Sequence, residues 1–223
     1  MSIFIIKIIA CLTMVLDHIK YAIPETKGWL TIYLGRIAFP LYAFLATEGY
    51  IHTSNLKKYL KRLFIFALIS QIPFMLFRTL VGEWRMLNIM FTLLLGILAV
   101  MVFDKLDKKY YSSIPIVLLI IFMGKYLRVD YSWYGVASVF LFYLCRNKKI
   151  LRILGFLFLN LMFYCQRLLL NYSIENLILY ICVNIPTILL LFYNGKLGRK
   201  TKYFYYWFYP VHMVVVYCIS LLK

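Results

Sequence analysis

Apolar runs of 15 to 22 residues, broken by short basic or Pro/Gly-containing punctuation, cover almost the whole chain. They fall at 3–23, 29–50, 62–81, 86–103, 112–127, 131–145, 150–170, 175–194 and 203–222. An α-helix needs about 20 residues to cross a hydrocarbon core about 30 Å thick. Most runs meet that length, and the fifth and sixth are short for full crossings. The pattern predicts an all-α fold, a polytopic membrane helical bundle of about nine transmembrane helices, with a range of eight to ten. No linker is long enough for another domain, so residues 1–223 read as one integral-membrane unit. No internal repeat is visible. The first run carries Asp17 and His18 and has no small-residue cleavage pattern, so it reads as a retained span.

Composition removes the soluble alternatives. The 223 residues are 64% hydrophobic and 15% charged, with a mean hydropathy of +0.84. A soluble domain is about 45–50% apolar and about 25% charged. Too little polar surface exists to coat a folded ball, so lipid serves as the solvent. The 20 Tyr and 18 Phe suit interfacial belts and helix packing. Cys11, Cys145, Cys165, Cys182 and Cys218 show no metal-ligand spacing and read as small buried hydrophobes.

Charge orients the bundle. The net charge is +17. In a soluble chain this would suggest nucleic acid; in a membrane chain basic loops are topology signals. With the N-terminus inside, four loops hold Lys57, Lys58, Lys61 and Arg62; Lys105, Lys108 and Lys109; Arg146, Lys148, Lys149 and Arg152; and Lys196, Arg199, Lys200 and Lys202. Those are 15 cations. The opposite side holds Lys20, Lys27, Arg78, Arg85, Lys125, Arg128, Arg167 and Lys223, which are 8. The bias predicts N-in and C-out, and an odd number of spans.

Lys7, Asp17, Arg36 and Glu48 remain inside spans, with His18 beside them. An ionised group near mid-bilayer costs roughly 3 kcal/mol even on the gentlest scale. Four in the first two spans exceed what passive anchoring requires. At about 1.5 Å per residue, His18 and Arg36 reach similar depths in the outer third of the core. Asp17, His18 and Arg36 can therefore meet. Lys7 and Glu48 both fall near the inner face and can form a second pair. Lys7 and His18, eleven residues apart, share one face of the first helix; Asp17 is turned one step away. Gln71, Asn160, Asn184 and His212 fall nearer the midplane, Asn88 and Thr92 nearer the outside, and together they suggest one polar cavity.

Imidazole titrates near neutral pH and can take a proton from an attacking amine or hydroxyl. A buried guanidinium can stabilise a developing oxyanion. These roles fit His18 and Arg36. Pro40 suggests a kink that aims Arg36 inward. Tyr209-Pro210-Val211-His212 is a second kink followed by a histidine, and His52 lies at the inner interface. The stretch 55–62 reads as a basic amphipathic loop able to hold phosphates. Neither a Gly-x-Ser-x-Gly elbow nor a His-Glu-x-x-His zinc site is present.

Several segments carry a family resemblance. They are Met14-Val15-Leu16-Asp17-His18; Gly35-Arg36-Ile37-Ala38-Phe39-Pro40-Leu41-Tyr42-Ala43-Phe44 with Glu48-Gly49-Tyr50; Ser70-Gln71-Ile72-Pro73-Phe74; Asn88-Ile89-Met90-Phe91-Thr92-Leu93-Leu94-Leu95-Gly96; and Phe208-Tyr209-Pro210-Val211-His212. In order and over nearly the whole chain, they resemble the TraX family, named for the protein that acetylates the N-terminus of conjugative pilin. That family is similar to a wider group of integral-membrane acyltransferases that use acyl-CoA. The wider group often shows a basic residue, ten residues, then a catalytic histidine in its first span; Lys7 and His18 match. The resemblance implies an acetyl-CoA-dependent acetyltransferase of the plasma (inner) membrane, without a metal. His18 would be the general base, with Asp17 and Arg36 in the catalytic cavity. Lys7, Lys57, Lys58, Lys61, Arg62 and His212 would serve the acetyl-CoA. The acceptor would be a pilin-like N-terminus, a peptide or an envelope molecule.

Two other readings use the same residues. A transporter could pass protons or anions along Asp17, His18, Lys7 and Arg36, although repeats and Gly-broken helices are missing. A non-catalytic component of a conjugation or secretion machine leaves the buried charges unexplained.

Overall fold

A computed structural model describes residues 1–83, 85–106, 113–170, 173–199 and 201–222, without the side chains of Gln166, Arg167, Leu168 and Lys202. Lys108, Lys109, Lys200 and Lys223 lie outside the described residues, as do the side chains of Arg167 and Lys202, so their expected places on the two sides have no structural counterpart here.

The helices are α1 (Ile3–Ala22), α2 (Trp29–Tyr33), α3 (Ala38–Ile51), α4 (Leu56–Thr79), α5 (Ile89–Leu106), α6 (Ile114–Tyr126), α7 (Ser132–Leu144), α8 (Lys149–Leu170), α9 (Ile174–Leu191) and α10 (Lys202–Leu221). A 3-10 segment, Leu34–Ile37, joins α2 to α3 as one broken rod. The described residues thus form nine rods at the nine apolar runs, a membrane helical bundle.

The break in the second rod has a local cause. Pro40 has no N–H to give the carbonyl four residues back, which is that of Arg36. The chain tightens into 3-10 turns just before it. Among the described residues, five helical stretches are long and apolar enough to cross a membrane: Trp29–Ile51, Leu56–Thr79, Ile89–Leu106, Ile174–Leu191 and Tyr203–Leu221. With 13 residues each, α6 and α7 span only about 20 Å, in line with their short apolar runs.

Two boundaries differ from the hydropathy reading. The basic stretch expected as a loop is the start of α4. The Asn55 side chain accepts from Lys58 N at 2.9 Å, an N-cap that satisfies one free donor. Tyr59 and Leu63, four apart, turn inward and are buried, while Lys57, Lys58 and Lys61 stay exposed. At α5 the start moves from 86 to 89, because Asn88 Oδ1 accepts from Met90 N at 2.9 Å and caps the helix there.

Packing is apolar inside and out, as lipid solvation requires. Ile6, Ala10, Leu41, Ala43, Ile97 and Val139 are fully buried. Ile72, Leu118, Phe122, Phe158 and Val211 are more than half exposed on the outer faces. Small residues let helices approach closely: a Cβ on Gly96 would fall 2.5 Å from the Val139 Cβ.

Contacts between rod ends show the alternation. Ile3 N and Phe4 N donate to the Lys196 and Leu197 carbonyls at 2.9 and 3.2 Å. Tyr50 and Tyr143 both donate to Asp104, at 2.9 and 2.6 Å. Tyr193 donates to Glu48 at 2.6 Å. The start of α1 and the ends of α3, α5, α7 and α9 therefore share one end of the bundle. The described cations of all four strongly basic segments gather there. At the other end, Leu87 bridges Val129 across two loops.

Candidate functional site

The site begins at the last turns of α1. Asp17 is buried, and Lys20, one turn on, reaches back to it with Nζ 2.7 Å from Oδ1. Lys20 also donates to the Thr31 carbonyl at 3.4 Å. Arg36 Nε lies 3.8 Å from the same Asp17 oxygen, within ion-pair range, and has no hydrogen-bond partner among the described residues. Two cations thus flank one carboxylate. Gly35 permits this meeting: a Cβ there would lie 2.6 Å from Asp17 Cα and 2.8 Å from Oδ1.

His18 faces the same space. Its ring lies 4.7 Å from Phe77, and its Nδ1 is 2.8 Å from His212 Nε2 on α10. The His212 Nδ1 lies 2.9 Å from the Phe208 carbonyl. Asp17 does not hydrogen-bond His18, as the one-step turn between them suggests.

Asp17, His18 and Arg36 line one cavity of about 380 Å³, together with Phe77, Arg78, Asp130, Tyr131, Tyr164 and Tyr209. The sequence expectation that the first three residues meet holds geometrically. The loop 127–131 supplies one wall. Tyr131 has φ +61, and Arg128 and the adjoining Ser132 both +52, a left-handed backbone that costs of order 1–3 kcal/mol per residue. Tertiary bonds hold it: Asp130 N donates to the Leu87 carbonyl at 2.8 Å, and Thr92 Oγ1 donates to the Asp130 carbonyl at 2.5 Å. The Tyr131 ring stacks on Phe39 at 3.9 Å. Burial pushes the Asp130 carboxyl up to about 6, with the Arg78 guanidinium acting against the shift.

A second cavity of about 370 Å³ opens at the basic end. Lys7, Glu48, His52, Tyr59, Arg62, Tyr205 and Tyr206 are among its lining. Lys7 Nζ sits 4.9 Å over the Tyr205 ring. Arg62 Nε is buried with no partner among the described residues. Lys7 and Glu48 share this cavity but do not form the expected pair. Glu48 instead accepts from Tyr193 and lies 3.3 Å from His52 Nε2. The exposed Lys57, Lys58 and Lys61 stand on the same turns of α4 as Arg62.

Tyr42 lines both cavities. Its hydroxyl is 3.2 Å from the Cys11 thiol. On α1, Lys7 faces one cavity and His18 the other, about 16 Å apart along the axis. His212, expected with the cofactor-binding residues, lines neither cavity and meets His18 instead.

The single polar cavity expected from Gln71, Asn88, Thr92, Asn160, Asn184 and His212 is not formed. Four of them pair off, Gln71 with Asn88 and Asn160 with Asn184, while Thr92 bonds the Asp130 carbonyl and His212 bonds His18. Asn88 Nδ2 donates to the Ala67 carbonyl at 2.7 Å and to Gln71 Oε1 at 2.9 Å. Tyr134 donates to Asn160 Oδ1 at 2.6 Å, and Asn160 Nδ2 to Asn184 Oδ1 at 2.7 Å. Buried polar groups in lipid need partners, and these two pairs bolt helices together.

The charge pattern puts Lys20 and Arg78 among the outer-side topology charges and Arg152 in an inner basic loop, and does not single out Asp130. Lys20 stands three residues after Asp17, an i,i+3 spacing that signals the pair. Arg152 is buried, with Nη2 3.3 Å from the Leu190 carbonyl. No signal in the chain marks Asp130. Among the described residues no three His, Cys, Asp or Glu side chains cluster as a metal site.

The chain matches the family described as TraX protein over residues 2–220. It is 27% identical over 236 aligned positions to a probable fimbrial assembly protein FimC, serogroup H1, of Dichelobacter nodosus. That alignment covers 96% of this chain and 94% of the relative. No solved structure matches. By the extent of the family match, this chain belongs to the TraX family.

Proposed function

We propose that the protein is an acetyltransferase of the inner membrane that moves an acetyl group from cytosolic acetyl-CoA to an amine or hydroxyl. One observation carries the reading. A histidine and a hydrogen-bond-free guanidinium nitrogen share one cavity, and a second cavity, lined by Lys7 and Arg62 at the basic end, lies on the other side of a single tyrosine. The basic end would be cytosolic by the positive-inside rule.

Acetyl-CoA suits the basic cavity. Lys7 and Arg62 inside it, with Lys57, Lys58 and Lys61 on its rim, would hold the phosphates. The thioester arm would pass Tyr42 toward His18. The acceptor would approach from the opposite end, where the first cavity lies. As the acceptor nitrogen or oxygen attacks the thioester carbonyl, a C–N or C–O bond forms and the His18 imidazole takes the proton. Arg36 offsets the charge on the carbonyl oxygen. The C–S bond then breaks, and the CoA thiolate leaves with a proton. Asp17 balances the two cations beside it and keeps Arg36 turned into the cavity.

The relative's association with fimbrial assembly supports a pilin-like N-terminus, a peptide or another envelope molecule as acceptor. Native mass spectrometry of purified protein in detergent tests the reading, together with thiol release from acetyl-CoA in the presence of peptide amines. Bound CoA and acceptor-dependent thiol release are expected. Absence of both rules the reading out.

A further inference from the structure

We propose that His212 is a positioning residue that sets the tautomer of His18. The deduction starts at the Phe208 carbonyl, which can only accept. His212 Nδ1 lies 2.9 Å from it and must carry a proton. A neutral imidazole has one N–H, so His212 Nε2 is an acceptor. That nitrogen is 2.8 Å from His18 Nδ1, so His18 Nδ1 donates. His18 Nε2 is left with its lone pair and no partner among the described residues.

The surroundings fix this chain of bonds. The His18 and His212 rings are 15° from parallel with centroids 5.1 Å apart. His212 stacks on Phe208 at 5.3 Å and 12°, and Phe77 backs His18. Asp17, the preceding residue, does not take this place: it makes no hydrogen bond to His18, and its Oδ1 accepts from Lys20.

A neutral partner also suits a membrane interior. A carboxylate in this place would bring a buried charge and its desolvation cost. When His18 gains a proton at Nε2, its Nδ1–H bond to His212 becomes charge-assisted and strengthens. His212 thus favours the state that the base reaches during transfer. Its catalytic consequence rests on the acetyltransferase reading; the tautomer does not.

The test uses full-length protein in nanodiscs with ¹⁵N-labelled histidine. The chain has three histidines, so the imidazole signals are assignable by substitution. Wild type is expected to show His18 protonated at Nδ1. His212→Phe keeps a flat ring, removes the acceptor and is expected to move His18 toward the Nε2–H form. His212→Gln offers an amide oxygen and is expected to restore the wild-type form. In acetyl transfer, His212→Phe is expected to lower kcat about 10- to 100-fold with KM for acetyl-CoA unchanged, and His212→Gln to recover most of it. An Nε2–H His18 in wild type, or an unchanged His18 signal in His212→Phe, overturns the proposal. If wild type transfers no acetyl group, the acetyltransferase reading fails, and the ¹⁵N spectra still decide the tautomer.

Discussion

Gly35 packs against Asp17 with no room for a side chain, since a Cβ there would lie 2.6 Å from the Asp17 Cα. This close approach sets the neighbouring Arg36 beside the carboxylate and turns it into the cavity. The atoms in the way are the Asp17 Cα, Cβ and Oδ1; the first two are fixed by the α1 backbone and cannot swing aside. Gly35→Ala is expected to destabilise the protein by about 1–3 kcal/mol through overpacking. Thermal unfolding in detergent measures this, and a melting temperature equal to wild type would contradict the packing account.

The Asp17 carboxylate holds two cations with one charge. Removing one partner of a buried pair leaves the other uncompensated, at about 3–5 kcal/mol. Asp17→Ala is expected near that range. Lys20→Met is expected to cost less, because Arg36 stays 3.8 Å from the carboxylate. The double variant Asp17→Ala/Lys20→Met is expected to be more stable than the sum of the single changes predicts. Strict additivity in a double-mutant cycle would show that the two residues do not interact.

Hydropathy alone locates nine rods, because lipid imposes length and apolarity on each segment independently of its neighbours. Depth along a helix is equally legible, so Asp17, His18 and Arg36 are expected together and are found together. Azimuth and partner choice are not. Asn160, Asn184, Gln71 and Asn88 lie at plausible depths for a cavity, yet they bond across helix interfaces instead. Nothing in a linear pattern says which helix faces which. Charged turns at 57–62 read as a loop because hydropathy cannot see the Asn55 cap. Lys20 and Arg78 read as topology charges because their depth is near the interface, where a cation is cheap and needs no partner. Asp130 enters the cavity on a loop that the sequence does not mark, with Arg128, Tyr131 and Ser132 at left-handed positions where glycine would be the ordinary signal.

Asp130 gives a pH dependence. Its carboxyl is raised to about 6 by burial. A raised pKa means that the folded protein favours the protonated form. That stabilisation is complete below the ordinary carboxylate range and is lost as pH rises through about 6. Asp130→Asn is expected to remove this loss, with a gain of about 2–3 kcal/mol at pH 7.5 and little change at pH 4. Melting curves across this pH range measure it. Equal pH slopes for variant and wild type would place the burial cost elsewhere.

The basic cavity gives a prediction on substrate affinity. Lys7→Ala and Arg62→Ala are each expected to raise KM for acetyl-CoA about 10-fold, the worth of a hydrogen bond to a charged group, with kcat little changed. Lys57→Ala and Lys61→Ala remove exposed charges and are expected to have smaller, salt-sensitive effects. Steady-state kinetics at low and high salt separate the two classes. An unchanged KM in Lys7→Ala and Arg62→Ala would move the CoA site away from this end.

Transfer of radiolabelled acetyl from acetyl-CoA to a peptide amine, measured for wild type and His18→Ala in the same nanodisc preparation, tests the central claim most directly. The account predicts turnover by wild type and a loss of about 100-fold or more on removing the imidazole, with the variant still folded and still binding CoA. Equal turnover by the two proteins would contradict it.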